Sequence, residues 1–126
     1  MRGIAMDADT IMFFGGRADA LGLYEALMEL MRAQLPPFEA RVMRTQISLA
    51  NRRGFGAVSL PRSSSRPGIV LSLGLGRALG SPRVAQAVQP YPGRWTNHLP
   101  LTDRARLDAE LMGWIREAYD FAAAKR

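Results

Sequence analysis

Residues 40–75 read ARVMRTQISLANRRGFGAVSLPRSSSRPGIVLSLGL, and where the strands fall in this stretch decides the fold. Three consecutive strands are expected, Ala40–Leu49, Gly54–Leu60 and Ile69–Leu75. Asn51-Arg52-Arg53-Gly54 separates the first two, and the breaker-rich segment Pro61–Gly68 separates the second from the third. Met43, Thr45, Ile47 and Leu49 alternate along the first strand, and Ile69, Leu71, Leu73 and Leu75 along the third. A period of two marks a sheet with one face in a core. The opposite face then carries Arg44, Gln46, Ser48, Ser72 and Gly74. The second strand is apolar on both faces apart from Ser59, which places it centrally, and short connections predict an antiparallel meander.

The flanks supply helices. Upstream, Leu21, Tyr24, Leu27, Met28, Met31 and Leu35 recur at spacings of three and four, so Ala18–Leu35 is expected to be a helix, closed by Pro36-Pro37. Ahead of it, residues 1–12 are expected to be loosely ordered, and Thr10–Phe14 an extended apolar lead-in stopped by Gly15-Gly16. Downstream, Ser81-Pro82 resembles a helix start, and a short helix over Pro82–Val88 is expected before Pro90. Arg94–Leu101 follows as a fourth strand. With Trp95, Leu99 and Leu101 facing the core, Arg94, Thr96 and His98 face out, and Asn97 falls on the core side, where it needs a partner or a bulge. Thr102 is placed to cap a final helix, Asp103–Ala123, with Leu107, Leu111, Trp114, Ile115, Ala118 and Phe121/Ala122 as its stripe. The order helix, three strands, short helix, strand, helix predicts an α+β two-layer sandwich: a four-stranded, mainly antiparallel sheet with two long helices on one face.

At 126 residues the chain is expected to be a single domain with a core of its own. No apolar run reaches the ~18 residues of a membrane span. Asp7 and Asp9 interrupt what a signal peptide would need, so a cytoplasmic setting is the default expectation. The absence of cysteine removes disulfides, thiolate metal sites and a cysteine nucleophile. Charge is unevenly spread. Residues 1–39 hold three arginines and six acids, and residues 102–126 hold five charges of each sign. Residues 40–101 hold nine arginines and no acid. This zone can attract anions, or simply pair with acidic helices of the same fold. Sixteen arginines against one lysine is also what GC-rich coding produces.

Several short motifs point to one family. Arg44-Thr45-Gln46-Ile47-Ser48, Arg53-Gly54-Phe55, Ser81-Pro82-Arg83, Gly93-Arg94-Trp95-x-x-His98 and Trp114-Ile115-x-x-Ala118-Tyr119 resemble the bacterial domain-of-unknown-function family numbered five-six-five-five, over about residues 13–121. The resemblance implies a small α+β domain, alone or appended to larger proteins, without an established activity. The label "predicted transport protein" sometimes given to that family finds no membrane segment here. Where this chain has Arg44, the family is associated more with lysine, which keeps the charge and changes the geometry.

Four functions are open to such a chain. An open sheet face with Arg44, Gln46, Ser48, Ser72, Arg94, Thr96 and His98 suits a binding module for an anionic small molecule or peptide. Arg52, Arg53, Arg62, Arg66, Arg77 and Arg83 could instead meet nucleic-acid phosphates, although few aromatics interleave with them. Catalysis would rest on His98, the single histidine, and no acid in the sheet region is available to orient it. An exposed sheet edge, or the region of Phe13-Phe14, could join two copies. No cofactor motif is complete: Gly74, Gly76 and Gly80 miss the spacing of a dinucleotide loop, and no metal-ligand set is present. The serines of Pro61–Gly68, flanked by arginines, read as a solvated hairpin loop or a phosphorylation site.

Overall fold

A computed structural model describes residues 7–124. Three α-helices, α1 (Ala8–Phe14), α2 (Ala18–Gln34) and α3 (Ala109–Ala124), accompany six strands: β1 (Glu39–Val42), β2 (Ile47–Ala50), β3 (Gly54–Ser59), β4 (Ile69–Leu75), β5 (Gln86–Tyr91) and β6 (Arg94–Leu101). A 3-10 turn, Arg104–Arg106, precedes α3. The strands form one sheet in the order β1-β2-β3-β4-β6-β5, and every pairing is antiparallel.

The α+β class and antiparallel sheet follow the sequence reading, but the sheet has six strands where four were expected. Two elements account for the difference. The expected strand Ala40–Leu49 is a hairpin: Val42 pairs with Ile47, and the Met43 N–H donates to the Gln46 carbonyl at 2.8 Å across a four-residue turn. The expected short helix at Pro82–Val88 makes a single turn, with the Val84 N–H on the Ser81 carbonyl at 3.0 Å, and the chain then enters β5. Pro90 lies in this edge strand, where a missing N–H leaves no ladder bond unmade.

The ends also differ from expectation. Thr10–Phe14 belongs to α1, because the Asp7 carboxylate accepts from the Thr10 N–H at 2.8 Å and caps the helix. Residues 1–6 of the segment expected to be loose lie outside the described residues. The last helix starts later than Asp103. Asp103 caps the 3-10 turn through the Ala105 N–H, and Asp108, rather than Thr102, caps α3 through the Leu111 N–H at 3.0 Å.

Both long helices cover one face of the sheet. Leu27, Met28 and Met31 of α2 and Leu111, Ile115 and Ala118 of α3 are fully buried with Ile47, Leu49, Val58, Leu71, Leu73 and Leu99. Each such leucine, isoleucine, valine or methionine side chain contributes about 1.5–3 kcal/mol. The β2–β3 register shifts beside Ala50. Phe55, which strict alternation assigns to the open face, is fully buried with Phe38 and Tyr119, at ring separations of 5.8 and 5.4 Å. Re-aiming a side chain is what a bulge does.

Asn97 does fall on the core face and is fully buried. Its Oδ1 accepts from the Leu79 N–H at 2.9 Å, and its Nδ2 donates to the Arg77 carbonyl at 3.1 Å. It thereby staples the loop that follows β4 to the underside of the sheet.

Two arginines of the acid-free zone are tied to acids of the C-terminal segment. Arg77 forms a two-point pair with Glu117, at 3.0 and 2.9 Å. Arg83 reaches Asp108 at 2.9 Å and Glu110 at 3.1 Å, with its guanidinium over Trp114. The Arg77 hydrogen bond holds the Glu117 carboxyl below its ordinary range, and the Leu111 N–H and then Arg83 do the same for Asp108. Folded-state values that lie below the unfolded ones contribute stability above the unfolded values, which are about 4. That stability disappears as pH falls through the folded values. Urea midpoints are therefore expected to be flat from about pH 7 to 5 and to drop below about pH 4, and Asp108→Asn should flatten the drop.

Candidate functional site

The face opposite the helices holds the candidate site. The pairings set Arg41, Ser48, Ala57, Ser72, His98 and Gln86 in one row across all six strands. Ser59, Val70 and Pro100 form the next row, and Gly74, Thr96 and Val88 the row on the other side. Small residues at Ala57, Ser48 and Ser72 keep the centre low.

Ser72 and His98 are directly opposite on β4 and β6, and Ser72 Oγ lies 2.7 Å from His98 Nδ1. A hydroxyl on an imidazole is half of a nucleophile–base arrangement. Among the described residues no carboxylate contacts His98 to complete it.

A groove of about 1030 Å³ opens beside this pair. Ser59, Val70, His98 and Pro100 line it from the sheet, Ala85 and Gln86 line it where β5 begins, and residues from Leu60 to Pro67 line it from the β3–β4 loop. Arg62 and Arg66 come from that loop, and no acid is among the lining residues. The loop, expected from sequence to be a solvated hairpin connection, is organised. The Arg66 N–H donates to the Ser63 carbonyl at 3.1 Å, and Ser63 and Ser65 share a 2.8 Å hydroxyl contact. The Arg17 guanidinium donates to the Arg66 carbonyl, and the Gly68 N–H donates to Asp19 Oδ2 at 3.0 Å. That N–H holds the Asp19 carboxyl below the usual range. Gly68 itself has φ of +85°, and a Cβ there would sit 2.9 Å from Thr102 Cα.

Five of the seven residues expected on the open face are brought there: Ser48, Ser72, Arg94, Thr96 and His98. Arg44 and Gln46 are not. They lie in the exposed β1–β2 turn, because the expected strand folds back on itself. Since Ile47 pairs with Val58, this turn leaves the sheet at the same end as the β3–β4 loop. Gly56 and Gly74 leave no depression in this face, for two reasons. Gly56 sits on the core face opposite Leu49 and Leu73. The space above Gly74 is filled by the Arg94 guanidinium, whose Cζ lies 2.6 Å from where a Cβ would be. Of the arginines considered for phosphate contacts, Arg62 and Arg66 line the groove. Arg52 and Arg53 are at the opposite end of β3, and Arg77 and Arg83 are in the ion pairs above. Gln86 and Ser59 were missed in the sequence, because Gln86 was read as helical and the pairing that puts Ser59 along the same groove as His98 is visible only in three dimensions.

Among the described residues no helix is long and apolar enough to cross a membrane, and no three histidines or carboxylates are grouped to hold a metal ion. The family described as Domain of unknown function (DUF5655) matches residues 12–122, nearly the whole chain. The chain belongs to the DUF5655 family. No curated protein and no solved structure matches it. In this DUF5655 domain the matched span runs from α1 into α3, so it includes the whole sheet and every residue of the groove.

Proposed function

We propose that the chain is a non-catalytic binding module that holds an anionic small molecule or peptide in the groove on its open sheet face. One observation carries this reading: Arg62, Arg66 and His98 line a groove of about 1030 Å³ to which no acid contributes. A site walled by one sign of charge concentrates the opposite sign. Charge-assisted hydrogen bonds from guanidinium and imidazole supply affinity, and Ser59 and Gln86 supply orientation. Val70, Pro100 and Pro61 give the ligand an apolar surface to rest on.

Thermal-shift screening with carboxylates, phosphate esters, acidic peptides and short oligonucleotides tests it. A ligand at 100 times its Kd stabilises by about 2.7 kcal/mol, a shift of several degrees in Tm. Arg62→Ala with Arg66→Ala is expected to abolish the shift and His98→Ala to reduce it, while Arg52→Ala with Arg53→Ala leaves it. The reverse pattern, with oligonucleotides shifting Tm through Arg52 and Arg53, would replace the groove by a nucleic-acid surface. Shifts insensitive to all these changes would remove the groove reading.

A further inference from the structure

Resting on that reading of the groove, we infer that its ligand carries a phosphate monoester, and that binding this dianion is coupled to uptake of one proton at His98, with Ser72 as the positioning residue. Three observations support it. First, the donors come from two walls. His98 rises from the sheet, and Arg62 and Arg66 come from the loop. Two guanidiniums and an imidazole along one groove offer more donors than a planar carboxylate with two oxygens uses, and suit a tetrahedral group with three free oxygens.

Second, His98 has one nitrogen engaged. Its Nδ1 is 2.7 Å from the Oγ of Ser72, which does not line the groove, while His98 does. In the imidazolium both nitrogens donate. Nδ1–H then gives its bond to the Ser72 hydroxyl oxygen, and Nε2–H is left for a ligand oxygen. Ser72 accepts in this state and fixes the plane of the ring.

Third, the surroundings of His98 make its charge depend on the ligand. The facing groups are Ser72 on β4, Gln86 on β5, Thr96 and Pro100 on β6, and Arg62 and Arg66 on the loop. Arg94, two positions beyond Thr96, lies over Gly74. All the charged groups in this set are cations. A dianion placed among them adds the opposite charge beside the ring and favours its protonated form.

The chain has one histidine, so its ring proton signal in an NMR pH titration belongs to His98 without assignment. Inorganic sulfate is the first probe, because its charge is constant across the titration range. At constant ionic strength set with chloride, sulfate is expected to raise the His98 midpoint by about one pH unit, a tenfold coupling. By reciprocity, sulfate affinity should fall about tenfold as pH rises through that midpoint. His98→Gln should bind sulfate without this pH dependence. Ser72→Ala should bind about three- to tenfold more weakly and show a smaller midpoint shift, a signature that loss of fold would not give. Glycerol phosphate and a phosphoserine peptide, run in parallel, show whether a small molecule or a protein brings the group; tight binding of either supports the inference. Sulfate binding that needs Arg62 and Arg66 but leaves the His98 midpoint unmoved overturns proton coupling and leaves the groove reading intact. An equal shift with acetate overturns the phosphate assignment. No anion binding at any pH overturns the groove reading itself.

Discussion

Gly68→Ala is expected to destabilise the fold by about 2–5 kcal/mol, the sum of left-handed backbone strain and a clash with fixed main chain. Gly68 has φ of +85°, and its Cβ would meet the backbone of Leu101 and Thr102, with Leu101 C at 3.0 Å. Backbone on the neighbouring strand cannot move aside as a flexible side chain can. The shift also breaks the Gly68 N–H bond to Asp19, which anchors the loop that forms a wall of the groove. Gly22→Ala provides the contrast. It lies inside α2 with nothing within 4 Å of the added methyl, and there the same substitution should stabilise by about 1 kcal/mol. Urea unfolding of both variants checks the pair. Equal effects at the two positions would contradict the packing described at Gly68.

Asn97→Ala is the second large effect, at about 3 kcal/mol. Asn97 is fully buried, and truncation strands two main-chain groups at once, the Leu79 N–H and the Arg77 carbonyl. The loss should appear in the urea midpoint. Hydrogen exchange should localise it, with the Leu79 amide losing protection well beyond the global change. A fall in stability without faster exchange at Leu79 would mean that the staple does not hold this loop.

These two residues show how legible the chain was. Asn97 was readable: alternation along Arg94–Leu101 puts an amide on the core face, and a buried amide needs partners, though not which partners. The two long helices and the strands β4 and β6 were legible for the same reason, since each carries its apolar face in its own period, and β3 was legible as an apolar run between turn signals. The β1–β2 hairpin was hidden because Met43-Arg44-Thr45-Gln46 contains neither glycine nor proline, and the alternation of Met43, Thr45, Ile47 and Leu49 runs straight through the turn. Met43, about half exposed, shows that the pattern there was accidental. The strand β5 was hidden because Ser81-Pro82 does start a turn, and its local signal outweighed an edge strand that buries almost nothing. For the site, Ser72 and His98 were placed on one face correctly. Their contact depends on β6 pairing with β4, a long-range pairing that alternation cannot reveal. Arg62 and Arg66 were noted as arginines of a loop, but the direction that loop folds in is set by Asp19 and Arg17, nearly fifty residues earlier in the chain.

The strand order has a kinetic side. β5 sits outside β6 at one edge of the sheet, pairs with β6 among the described residues, and has most of its residues exposed. It cannot dock until β6 has closed onto β4, and it can peel away without opening the core. Such a segment belongs to the lowest rung of local unfolding. Since Gln86, beside His98, is its first residue, one bank of the groove can open and close while the other, pinned at Gly68, stays put.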